Sequence, residues 1–102
     1  MCIICDLSKL DDRGCLGAPD FIVEILSSGN SNKEMKLKKN LYEETGVREY
    51  WIIDPEHETA ITYYLQNDGT YSVPSIFVSD DVVNSAIFPD FSVELEPLFE
   101  NL

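Results

Sequence analysis

Glu24 stands inside P-D-F-I-V-E-I-L (19–26), a stretch in which only Asp20 and Glu24 are neither apolar nor proline. A run of this kind is buried on both faces of a sheet. A carboxylate there is costly unless it is paired, hydrogen-bonded or bound to a metal. Side chains alternate along a strand, so Asp20, Ile22, Glu24 and Leu26 share one face. The two carboxylates are separated by roughly 13 Å at about 3.3 Å per residue, too far to grip one ion without a bend or bulge. The next chemical candidate is Lys38, in the segment that follows. At about 100° per residue, Met35, Leu37, Lys38, Leu41, Tyr42 and Thr45 fall within a helical arc of roughly 160°. That arc predicts an inward Lys38 near its middle, between the leucines and the Tyr42/Met35 edge, with Lys36, Lys39, Asn40 and Glu43 facing water. Lys38 can then reach Glu24. The pair has a bland reading, a structural ion pair or a lysine lying along the sheet edge. It also has a chemical one: carboxylates hold Mg²⁺, which activates water, while a lysine steadies an anionic transition state. That constellation serves phosphodiester hydrolysis.

The elements that must position these residues follow from the pattern. Residues 1–6 form a short buried strand, 7–18 a polar loop, and 20–26 the central strand. Ser31 and Glu34 match a capping box, opening a helix over 32–45 that ends at Gly46, where a left-handed residue is expected. Residues 48–54 give another apolar strand. Strand, helix and strand in so few residues imply a crossover and parallel pairing. Residues 59–65 have strand composition and 66–69 (Q-N-D-G) a hairpin turn. The return strand covers 71–73 and 76–78, interrupted by Pro74. Residues 80–85 form a loop, 86–95 an apolar stretch split by Pro89, and 96–102 a short terminal helix. There is no internal repeat.

The 102 residues suit one domain and carry a net charge of −12. All seven basic residues lie in 1–48, beside eight acidic ones, whereas 49–102 holds eleven acidic residues and no basic one. Broad nucleic-acid affinity is disfavoured, and Lys33–Lys39 is the one local phosphate-attracting cluster. No long apolar stretch or leader pattern is present, so a cytoplasmic protein without a membrane anchor is expected. Cys2, Cys5 and Cys15 make neither a disulfide framework nor a four-ligand zinc site. Cys2 and Cys5 fall on opposite sides of a strand and read as buried apolar cysteines. His57, beside Glu56 and Glu58, reads as a solvated loop residue. There is no glycine-rich phosphate loop and no Ser/His/Asp arrangement.

Three motifs in order, G-A-P-D-F-I-V-E-I-L-S (17–27), K-K-N-L-Y (38–42) and G-V-R-E-Y-W-I-I-D-P (46–55), resemble the Uma-type restriction endonuclease family of the PD-(D/E)XK nuclease superfamily. The family is catalogued in cyanobacteria and other bacteria. The likeness continues more loosely through F-P-D-F-S-V-E-L-E-P-L-F (88–99). It implies an α/β fold with a restriction-endonuclease-like core, a mixed sheet with a strand–helix–strand crossover. It implies Mg²⁺- or Mn²⁺-dependent cleavage of DNA. Glu24 matches the superfamily's second-strand glutamate. Leu26 stands where the signature lysine would be, and Lys38 matches a version with the lysine moved to the following helix. The first signature aspartate would fall just before Met1, so the chain resembles the C-terminal part of a longer member, with Asp20 a secondary metal ligand. A truncated member is expected to cut DNA poorly, or to act as a catalytically dead interaction module, and to associate with copies of itself through an uncovered surface. Trp51, Tyr63, Tyr64 and Phe77 are candidates for that interface.

Overall fold

The computed structural model describes residues 2–4, 10–11, 14–15, 20–26 and 32–101. Five strands form one mixed sheet in the order β1-β4-β5-β6-β7: β1 (Cys2–Ile4), β4 (Phe21–Ile25), β5 (Glu49–Asp54), β6 (Thr59–Tyr64) and β7 (Ser75–Val78). β4 and β5 are parallel, with Ile22 opposite Tyr50 and Glu24 opposite Ile52. They are joined by helix α1 (Asn32–Thr45), and every other pairing in the sheet is antiparallel. The expected crossover is therefore present. The central position belongs to β5 rather than to the Glu24 strand, which lies between β1 and β5.

Helix α1 ends as its sequence dictates. Gly46 adopts φ +88°, the region that disfavours a side chain. Its N–H bonds the Glu43 carbonyl at 3.3 Å, and the Val47 N–H bonds the Tyr42 carbonyl at 2.9 Å. This pairing is a Schellman closure, and Val47 and Tyr42 pack together beneath it. The Ser31 half of the capping box lies outside the described residues.

The two faces of the sheet build two cores. On one, α1 covers Ile22, Tyr50 and Ile52, with Val47 and Tyr71. On the other, Phe21, Trp51, Ile53 and Ala60 meet Val83 and Leu95. The latter two come from β8 (Val82–Asn84) and α2 (Leu95–Glu100), and β9 (Ser92–Glu94) pairs with β8. Three segments depart from the sequence reading. Residues 82–84 are a strand rather than loop, because Val83 is wholly buried against the second core. Residues 10–11 and 14–15 form a small hairpin, β2 and β3, within the expected loop. The return strand is confined to 75–78: Tyr71 makes only an isolated bridge to Leu65, and Pro74 has no N–H for the ladder.

Candidate functional site

Glu24 projects from β4 toward α1 and is 7% exposed. Lys38, from the second turn of α1, donates from Nζ to Glu24 Oε1 at 2.8 Å. The helix phase brings the two residues together as the sequence suggested. The hydrogen bond to Glu24 is the chief reason that the Lys38 pKa is raised above its ordinary value, with the carboxylate charge adding to it against some desolvation. The ammonium is thereby held charged. The other carboxylate oxygen, Oε2, is buried and has no hydrogen-bond partner. Tyr42, one turn beyond Lys38, sets its ring edge-on to Tyr50 at 5.0 Å and closes the site on the α1 side.

The helix is rotated relative to the expected arc. Leu37 and Leu41 are 61% and 53% exposed, and Thr45 is exposed too. The inward face is instead Met35, Lys38, Lys39, Tyr42 and Glu43. The sheet beneath explains this. Tyr50, Tyr63 and Tyr71 stack there and offer ring faces and polar groups to the side chains above them. Lys39 Nζ lies 5.2 Å above the Tyr63 ring. Glu43 Oε2 accepts the Tyr71 N–H at 2.7 Å, and the Tyr71 hydroxyl donates to the Val47 carbonyl at 2.9 Å.

Asp20 precedes β4 at a bend and is 2% exposed. Its carboxylate faces the Arg48 guanidinium at 3.8 Å, and its carbonyl accepts the Glu49 N–H. Among the described residues, no three His, Cys, Asp or Glu side chains gather closely enough to hold a metal ion. His57 is exposed, as expected, and bonds Asp54 at 2.8 Å. Cys5 lies outside the described residues. Trp51 is 1% exposed, so it is a core residue and not an interface aromatic; Phe77 packs against the same core.

A second buried carboxylate escaped the sequence reading. Glu49 is wholly buried. It accepts from Trp51 Nε1 and Ser85 Oγ, each at 2.7 Å, and from the Ala86 and Ile87 N–H groups. It fastens the 85–88 segment beneath the sheet. The signal was available: Glu49 alternates with Trp51 and Ile53 on a strand buried on both sides, the same circumstance that singles out Glu24.

The sheet order and the parallel β4–α1–β5 unit define a mixed α/β fold. A solved structure from Anabaena variabilis ATCC 29413, titled "a putative nuclease belonging to DUF820", superposes with a TM-score of 0.72. The identity is 24%, over 91% of this chain and 54% of that one, so this chain spans about half the length of that protein. The family model Uma2, described as "Putative restriction endonuclease", matches residues 1–96, and the chain belongs to that family. No curated protein matches the chain. Among the described residues, no helix is long and apolar enough to cross a membrane.

Proposed function

We propose that Glu24 and Lys38 form the core of a site for Mg²⁺- or Mn²⁺-dependent hydrolysis of DNA phosphodiesters. The observation that carries this reading is the buried pair itself. Lys38 occupies one carboxylate oxygen at 2.8 Å and leaves the other, Oε2, without a partner. A hard divalent cation takes oxygen ligands, often one or two carboxylates completed by water and phosphate. Glu24 Oε2 fits one such ligand, and Asp20 is the second candidate. The cation would supply Lewis-acid stabilisation and an activated water when bound. Lys38 fixes the rotamer of Glu24 and presents positive charge beside it, where charge develops on a phosphoryl oxygen. Lys33 and Lys36, exposed on α1, offer the attractive surface for a DNA backbone.

The chain by itself is expected to cut weakly. Asp20 is engaged with Arg48, which leaves Glu24, among the described residues, as the one carboxylate with an open oxygen at the site. The eleven acidic residues of 49–102 repel DNA. The alternative is an interaction module of the same fold without catalysis. Self-association is part of the proposal, through the exposed apolar residues Val73, Ile76, Val78 and Val82. Supercoiled plasmid with Mg²⁺ or Mn²⁺ tests the reading. Slow nicking that Glu24→Ala abolishes is expected. Equal nicking by Glu24→Ala, or none by either protein, favours the interaction module.

A further inference from the structure

Three buried side-chain polar atoms among the described residues have no hydrogen-bond partner: Glu24 Oε2, the Tyr50 hydroxyl and Thr62 Oγ1. Buried polar atoms nearly always find one, frequently an ordered water. Thr62 pairs with Trp51 in the β5–β6 register, and alternation puts it on the Trp51 face, across the sheet from Glu24. Glu24 and Tyr50 share the α1 face. Ile22 is opposite Tyr50 and Glu24 opposite Ile52, so the two are diagonal neighbours on adjacent strands. One is an acceptor without a donor, and the other carries a donor without an acceptor.

We infer that Tyr50 is a positioning residue for Glu24, its hydroxyl and Glu24 Oε2 holding one buried water between them. The water accepts from the phenol and donates to the carboxylate. Glu24 is then fixed on both oxygens, by Lys38 directly and by Tyr50 through the water, which takes one lone pair of Oε2 and leaves the other for a cation. The surroundings fit. Tyr50 is wholly buried, and the Tyr42 ring shields it from the helix side. Burial first, and the Glu24 charge second, push the Tyr50 phenol above its usual range, which keeps it a protonated donor. Tyr71 makes the useful contrast. It is stacked on Tyr50 at 6.4 Å, but its hydroxyl is already committed to the Val47 carbonyl. That the fixed carboxylate serves a divalent cation rests on the function proposed above; the Tyr50–Glu24 linkage does not.

A double-mutant cycle in the metal-free protein tests the linkage. Tyr50→Phe, Glu24→Gln and their combination are unfolded in urea, with Tyr71→Phe as the control tyrosine. Tyr50→Phe and Glu24→Gln are expected to be non-additive by about three- to tenfold in the unfolding constant, whereas Tyr71→Phe and Glu24→Gln combine to within about twofold. In parallel, Mn²⁺ affinity should fall about tenfold in Tyr50→Phe and hold in Tyr71→Phe. Additivity of Tyr50→Phe with Glu24→Gln overturns the inference. Wild-type protein that binds no Mn²⁺ overturns the metal reading instead, and the cycle still decides the role of Tyr50.

Discussion

Replacing Lys38 by methionine keeps an unbranched stem, one atom shorter, and removes the charge opposite Glu24. The carboxylate, whose side chain is only 10% exposed, then loses its ion-pair partner. Breaking a fully buried pair by removing one member costs about 3–5 kcal/mol, whereas an exposed pair contributes about 0.2–1 kcal/mol. Lys38 is 34% exposed and water screens part of the interaction, so a loss of about 2 kcal/mol is expected for this half-wet geometry. The loss should be largely recovered in Lys38→Met combined with Glu24→Gln, which leaves no lone charge. The sign with pH is set by the raised Lys38 pKa. The lysine's contribution is complete below its unfolded value of about 10.5 and is lost only as pH rises through the higher folded value. Neutral pH therefore reports the whole effect. Trp51, the only tryptophan and 1% exposed, reports urea unfolding by fluorescence. A Lys38→Met protein within about 0.5 kcal/mol of wild type, the range of ordinary surface changes, would refute the pairing argument.

Other perturbations follow from the same packing. Glu49→Ala leaves the Trp51 indole, the Ser85 hydroxyl and two backbone N–H groups without their acceptor, and a loss of at least about 3 kcal/mol is expected by the same urea measurement. Leu37→Gln and Leu41→Gln should each change monomer stability by less than about 0.5 kcal/mol, since both side chains face outward. The hydrogen bond to Asp54, and then its charge, raise the His57 pKa above 6.5. Its stabilising contribution is present below that value and disappears as pH rises through the folded one, and Asp54→Asn should lower the pKa seen by proton NMR. Light scattering should show an oligomer at high concentration that Ile76→Lys weakens; a clean wild-type monomer would count against the exposed apolar face as an interface.

Much of the architecture was legible because local signals agreed. Gly46 fixed the end of α1, and the strand–helix–strand spacing demanded a parallel β4–β5 pair. Glu24 and Lys38 were found by strand alternation and helix phase. Leu37 and Leu41 face outward although helix phase groups them with Lys38, because apolar side chains do not by themselves define the inward face. The inward face is set by what lies beneath it, a row of tyrosines that accommodates Lys39 and Glu43. Glu49 was passed over although its position obeys the rule that identified Glu24. What was not legible was its set of donors, which come from residues 85–87, far along the chain. β8 was hidden for a similar reason: three residues pairing with a distant three-residue strand leave almost no periodicity to read.

The central claim, that Glu24 offers an oxygen to a divalent cation beside Lys38, is tested most directly by Mn²⁺ titration followed by electron paramagnetic resonance. The account predicts one weak Mn²⁺ site in the wild-type chain, lost in Glu24→Gln. Undiminished Mn²⁺ binding by Glu24→Gln would contradict it.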